Sequence, residues 1–232
     1  MLLRDVKELG RFYHKVVPTI RGDECLLLLL NARKKYCPEL ARSEEVLRRE
    51  VIRERKWRVF LRKVKKLTTV RGLYSDKLGK EIPVNAFAPY IVLDVKSAVK
   101  AWFMLQKEMG DLVYQYMMGG SEVIKEFKRV DIRWFSCLHR TKGRKLYWLI
   151  DIDQKDWDVL DKIVEMFDGY IAWVSETRGG FHVIVKSTET VAKLIFKEKT
   201  LSKFDNVEVQ KQVMTPIPGC LQGGFVVKGL KI

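Results

Sequence analysis

The sequence predicts an α+β chain in two lobes: a basic N-terminal αβ lobe over residues 1–130, and an antiparallel sheet lobe with helices on one face over residues 131–232. Three observations predict it. The second part reads as β-α-β-β-β, an order that a four- or five-stranded antiparallel sheet accommodates. Charge divides unevenly, with 28 Lys+Arg against 16 Asp+Glu in residues 1–130 and 16 against 13 in the remainder. The glycine pair Gly119-Gly120 marks a break shortly before the change.

In the first lobe, a helix is expected to about residue 16. Glu24–Asn31 contains five consecutive leucines and reads as a buried strand. It runs into the cationic turn Ala32-Arg33-Lys34-Lys35-Tyr36. Ser43 as N-cap, with Glu44 and Glu45 in the first turn, predicts a helix to about Leu67. Its apolar positions Leu47, Val51, Phe60, Val64 and Leu67 recur at helical spacing. The rest is cationic, including Arg58, Arg62 and Lys63, and is either a solvated face or a contact for nucleic-acid phosphates. Residues 72–95 are rich in turn formers, and Ser97 caps a helix through Met109 that Gly110 ends.

The second lobe is expected to begin with a strand over Asp131–Leu138 and a basic turn over Thr141–Arg144. A strand over Leu146–Asp153, a helix over about Trp157–Phe167 and strands over Tyr170–Ser175 and Phe181–Lys186 follow. A short helix near 188–197 leads to strands over Val207–Gln212 and Phe225–Val227. This order resembles an RNA-recognition module.

Composition narrows the function. With 232 residues and 47% hydrophobic content the chain can build a sizeable core. No apolar run approaches the roughly 20 residues of a membrane span. The start, Met1-Leu2-Leu3-Arg4-Asp5, lacks the pattern of a secretion signal, so a soluble cytoplasmic protein with no membrane partner is expected. Cys25, Cys37, Cys137 and Cys220 lie far apart without the paired spacing of a zinc knuckle, and no zinc is expected. A net charge of +15, concentrated in the first lobe, points to a polyanionic partner.

Three segments carry candidate chemistry. In Leu146–Asp153 an apolar run ends in Asp151 and Asp153, two acids spaced to leave one face of the strand. Like charges side by side are costly without a cation between them. The pair therefore reads as ligands for a hard divalent ion or as a solvated strand end. In Ser175–Val185 the sequence Arg178-Gly179-Gly180 offers backbone N–H groups and a forked cation to an anion. His182 follows with Ile184 on the face opposite Phe181, Val183 and Val185; it is either structural or a donor to a phosphate or sugar. In the third segment Val207 and Val209 point to the core, which turns Glu208 to the face shared with Asp151 and Asp153 if the strands are neighbours. Asp205 is the alternative third acid.

The strand acids, the glycines before a histidine, and the acid inside a later strand, followed by the Pro- and Gly-containing segment Pro216–Phe225, resemble the archaeo-eukaryotic primase superfamily. They are most similar to its primase-polymerase domains from plasmids, viruses and mobile elements. The motifs cover residues 131–228, and Glu208 stands where the family usually has Asp. The resemblance implies a two-lobed primase-polymerase fold. It also implies a DNA primase or DNA polymerase that performs template-directed nucleotidyl transfer from NTPs or dNTPs, in replication of an archaeal, plasmid or viral genome. Asp151, Asp153 and Glu208 would be catalytic and hold two Mg2+ or Mn2+ ions roughly 3.5–4 Å apart. Arg178, Gly179, Gly180 and His182 would hold the nucleotide. Arg33, Lys34, Lys35, Arg58, Arg62 and Lys63 would hold the single-stranded DNA template. No GxxxxGK[ST] helicase signature occurs in this chain, and the sequence leaves open whether a helicase or accessory primase subunit is a partner or is fused beyond Ile232. The alternative is a catalytically inactive primase-like subunit that binds single strands. A DxD nucleotide-sugar transferase leaves the basic lobe unexplained, and a rolling-circle nicking enzyme wants paired histidines on one strand.

Overall fold

Five consecutive leucines place β1 (Glu24–Arg33) at the centre of the first lobe. The structure is a computed structural model that describes residues 1–231 apart from Arg71, Leu73, Lys77, Glu198 and Lys199. Before and after β1 come α1 (Val6–Val16), β2 (Glu44–Ile52), α2 (Trp57–Thr68), β3 (Phe87–Ser97), α3 (Ala98–Met117), α4 (Ile124–Phe127) and α5 (Val130–Arg140). They are followed by β4 (Tyr147–Ile152), α6 (Trp157–Met166), β5 (Ile171–Glu176), β6 (Phe181–Lys186), α7 (Glu189–Ala192) and β7 (Val207–Gln210). The chain closes with β8 (Met214–Pro216), β9 (Leu221–Gln222), β10 (Phe225–Val226) and β11 (Lys228–Gly229). The class is α+β, as the sequence predicts.

The first sheet has the order β2-β1-β3-β8, with antiparallel neighbours throughout. Side chains alternate along a strand, so β1 sends its leucines both ways. Leu26, Leu28 and Leu30 pack with Phe12 of α1 and Phe60 and Val64 of α2. Leu27 and Leu29 pack with Ala101 and Leu105 of α3 and Leu138 of α5. The leucine run is continuous because both faces are covered.

The second sheet has the order β11-β5-β6-β4-β7, again antiparallel at every pairing. The chain order β4-α6-β5-β6-α7-β7 makes this a split βαβ arrangement. Ile150, Ile152, Val174, Val183 and Val185 pack against Leu160 and Ile163 of α6 and Val191 of α7. On the opposite face, Leu149, Trp173 and Ile184 join the core of the first lobe. Phe12 of α1 meets Trp173 edge-on there, with ring centroids 5.4 Å apart. The chain then crosses back, since β8 pairs with β3 through Ile91↔Thr215 and Val92↔Met214. The first sheet thus contains a strand from beyond residue 130, and the step to the second sheet falls between α5 and β4.

Four expectations are corrected. The helix expected from Ser43 to Leu67 is instead strand β2 followed by α2, with Lys56 and not Ser43 at the helix N-cap. Leu47 and Val51 have helical spacing, but the unpaired edge of β1 decides: β2 docks on it through Leu28↔Glu50 and Leu30↔Arg48. Charged side chains suit an edge strand, because they discourage pairing with other chains. Asp131–Leu138 is not a strand but lies in α5, where Trp134, Phe135 and Leu138 follow 3–4 spacing onto the first sheet. Gly110 does not end its helix, which continues to Met117. Phe225–Val226 pairs only with β9 in a hairpin, and the fifth strand of the second sheet is β11.

The Glu50 carboxylate pins α2 to β2. It lies 2.6 Å from Lys63 Nζ and 2.6 Å from Lys66 Nζ, with only 9% of its side chain exposed. Burial alone would raise its carboxyl, but the hydrogen bonds from the two lysines hold it below its ordinary value. A group depressed on folding contributes stability above its unfolded value of about 4.3 and loses it as pH falls through the folded one. Glu50→Ala is therefore expected to cost about 1.5–3 kcal/mol at pH 7, with a deficit that shrinks below about pH 4. Chemical denaturation across pH checks this, with Glu54→Ala, whose partner Lys56 is exposed, expected to stay within about 0.5 kcal/mol.

Candidate functional site

β4 lies between β6 and β7, and its register aligns the polar residues of the second sheet. Asp151 stands opposite His182 on one side and Glu208 on the other. His182 stands opposite Ser175 on β5. Ile150 and Ile152 are fully buried against the helices, so Asp151 turns to the other face by the two-residue period. Ser175, His182, Asp151 and Glu208 thus form a row across four strands.

The middle of this row floors a cleft of about 320 Å3 between the two sheets. Arg33, Lys35, Tyr36 and Tyr90 line it from the first lobe; Asp151, Asp153, Gly179, Gly180, His182 and Gln210 line it from the second. His182 Nε2 lies 3.3 Å from Asp151 Oδ1, and its Nδ1 lies 3.1 Å from Thr215 Oγ1 on β8. Burial pushes the Asp151 carboxyl up, but the His182 hydrogen bond and the electrostatic pull of His182, Lys35 and Arg33 leave it below its ordinary value. Asp151 is therefore held ionised. Asp153 lies just past the end of β4, its N–H donating to Asn206 O at 3.0 Å, with its exposed carboxylate 3.8 Å from Lys35 Nζ. Glu208 is exposed and accepts from Gln210 Nε2 at 2.9 Å. Asp205 is exposed in the turn before β7, outside the row.

The glycines before His182 have different jobs. A Cβ on Gly180 would fall 1.8 Å from Ile152 O and 2.8 Å from Gln154 N, so the β5–β6 hairpin can approach the end of β4 only with glycine there. A Cβ on Gly179 would meet the flexible end of Lys35 at 3.0 Å. Arg178 does not line the cleft. Its guanidinium donates to Gly223 O at 2.5 Å and sits 4.7 Å from the centre of the Tyr36 ring, while its backbone N–H donates to Gln222 Oε1 at 2.9 Å. It braces Tyr36, and with it the turn that carries Lys35.

The first-lobe cations separate into two groups. Arg33 and Lys35 reach the cleft, where Arg33 donates to Tyr90 OH at 3.2 Å and lies 3.7 Å from Glu44. Lys34 is exposed outside it. Arg58 and Arg62 are exposed on α2, which covers the face of the first sheet opposite Tyr90, and Lys63 is engaged by Glu50. The basic helix is therefore not beside the acids.

Oxygen donors at Asp151, Asp153 and Glu208 suit a hard divalent ion. Directly opposed strand residues have Cβ atoms about 4.5–5.5 Å apart, which puts Asp151 and Glu208 within reach of a common cation. The backbone positions fit such an ion. The rotamers of Glu208 and Asp153 point to Gln210 and Lys35, and among the described residues no three His, Cys, Asp or Glu side chains converge as a ligand set.

Comparison with known protein families, curated proteins and solved structures returned no match. Among the described residues no helix is long and apolar enough to cross a membrane. Reading the sequence missed Tyr36, Tyr90, Gln210 and Gln212 as cleft residues, and Thr215 as the buried partner of His182. The two glutamines extend Glu208 at a spacing of two and carry the same parity signal. Thr215, Tyr36 and Tyr90 carry no local signal, since only the crossover of β8, the turn after β1 and the pairing of β3 with β1 bring them in.

The crowding at Gly180 gives a direct test. Gly180→Ala is expected to cost about 1–3 kcal/mol in thermal or urea unfolding, while Gly179→Ala stays within about 0.5 kcal/mol. Equal effects of the two substitutions would contradict the assigned approach of the hairpin to β4.

Proposed function

We propose that this chain is a metal-dependent nucleotidyltransferase of primase–polymerase type, acting on nucleoside triphosphates along a single-stranded template. One observation carries the proposal: an ionised acid, Asp151, flanked in register by His182 and Glu208 and facing the cations Arg33 and Lys35 across a cleft. Strand acids beside cations suit a substrate that brings both a phosphate chain and a divalent ion. The order of the three motifs and the uneven charge of the chain, +15 in all, support the same reading.

Asp151 and Glu208, with Asp153 at the strand end, would hold the divalent ion. When bound, that ion supplies Lewis-acid stabilisation of the phosphoryl group in transfer. His182 keeps Asp151 ionised and oriented, and is itself held by Thr215. Lys35 and Arg33 neutralise the phosphate chain, and the backbone N–H of Gly179 faces it, while that of Gly180 is spent on Thr177 Oγ1 at 3.1 Å. Tyr36 and Tyr90 give the cleft an aromatic wall for a sugar or base. Arg58 and Arg62, remote from the cleft, add to the long-range field that draws a polyanion rather than to the reacting centre.

The exposed Glu208, turned to Gln210, favours one competing reading: a single-strand-binding subunit without catalysis. Incubation with a single-stranded template, with and without a primer, labelled nucleotides and Mg2+ or Mn2+ separates the two. The proposal expects incorporation that Asp151→Ala reduces by about two to three orders of magnitude while the fold is retained. Single-strand binding in both proteins should fall with salt at a log–log slope near −4 if about six phosphates are neutralised. No incorporation under any of these conditions, with strand binding intact, would establish the binding subunit instead.

A further inference from the structure

Helix α3 is apolar on two opposite sides. Ala101 and Leu105 pack on the first sheet and Leu112 is buried below them. A second stripe, Val99, Phe103, Val113, Tyr114 and Met117, runs down the solvent side with Trp102 and Met118 on its flanks; these seven residues are between 47% and 77% exposed. At 3.6 residues per turn this stripe lies diametrically across from the buried one. A surface helix needs only one apolar stripe to dock. Lys100, Lys107 and Asp111 keep to one flank, so the centre line carries no charge.

Gly110 sits in the middle of the exposed stripe. Glycine inside a helix costs about 1 kcal/mol relative to alanine. A Cβ at Gly110 would meet nothing within 4 Å, so packing within this chain does not require the glycine. Bare backbone at the centre of an apolar stripe allows a second helix to cross at short range. The stripe is also self-complementary about this point. Phe103 and Met117 lie seven residues either side of Gly110, each within about 20° of the centre line. An antiparallel copy, related by a two-fold axis at Gly110, sets Phe103 against the partner's Met117 on each side of the axis, a favourable contact. The same operation brings Lys107 near the partner's Asp111, twice.

We propose that two copies of this chain pair through α3 as an antiparallel, two-fold helix–helix dimer centred on Gly110. The area suffices. Trp102, Phe103 and Tyr114, at roughly 150–250 Å2 for a fully covered aromatic, leave about 300–400 Å2 uncovered on each copy. The valines and methionines bring the two-copy total to the order of 1,000 Å2, the lower bound for a specific interface. None of these residues lines the cleft, so the dimer stands or falls separately from the proposed catalysis.

Sedimentation equilibrium of the full chain tests it at low and high salt. The expected result is a concentration-dependent dimer that tightens with salt, because screening reduces repulsion between two chains of net charge +15. Contact with nucleic acid has the opposite salt dependence. Phe103→Glu and Gly110→Gln should each weaken the dimer at least tenfold. Gly110→Gln should leave thermal stability equal or higher, which excludes unfolding as the cause. A chain that stays monomeric at every concentration and salt, or a dimer indifferent to both substitutions, overturns the proposal.

Discussion

β4 lies between β6 and β7, and its register with both sets which polar side chains share the cleft face of the second sheet. A slip of one residue against either neighbour would send Asp151 into the helix-covered core and bring Ile150 or Ile152 to the cleft. That slip is prevented by burial. Ile150, Ile152, Val183 and Val185 are all fully buried, and moving them to the polar face would forfeit about 1.5–3 kcal/mol for each. The apolar side of the sheet therefore sets the geometry of its polar side.

The two lobes are tied together at the same place. Thr215, which holds His182, belongs to β8 of the first sheet, while His182 belongs to the second. Arg178 of the second lobe stacks on Tyr36 of the first and bonds to Gly223. Gly223 adopts a left-handed φ of +58°, and a Cβ there would fall 2.5 Å from the guanidinium and 2.7 Å from the Tyr36 ring. The cleft is thus built from contacts that form only when both sheets are in place. An arginine expected to touch a ligand instead fixes the wall that presents Lys35.

Much of the second sheet was legible because its strands alternate cleanly. Isoleucines flank Asp151, valines flank Glu208, and Phe181 and Val183 flank His182, so parity alone placed these polar side chains on one face. Parity could not place Arg178, whose partners Tyr36 and Gly223 lie far along the chain. It also failed where helix and strand patterns coincide. Leu47 and Val51 suit a helix, yet the open edge of β1 made them part of β2. Trp134, Phe135 and Leu138 suit a helix at 3–4 spacing, while a short aromatic run also suits a strand. The position of α2 was set by packing of Phe60 and Val64 beneath β1, which left its cations on the far side of the sheet from the acids. Tertiary pairing decided each of these cases, and no local window contains it.

The central claim is that Asp151 and Glu208, paired across β4 and β7, form a divalent-cation site beside a phosphate-binding cleft. Titration with Mn2+ followed by electron paramagnetic resonance, in the presence of a nucleoside triphosphate, tests it most directly. The account predicts protein-bound Mn2+ that Mg2+ displaces, with affinity falling at least tenfold in Asp151→Asn and in Glu208→Gln while circular dichroism is unchanged. Mn2+ binding that is absent, or equally strong in both substituted proteins, would contradict it.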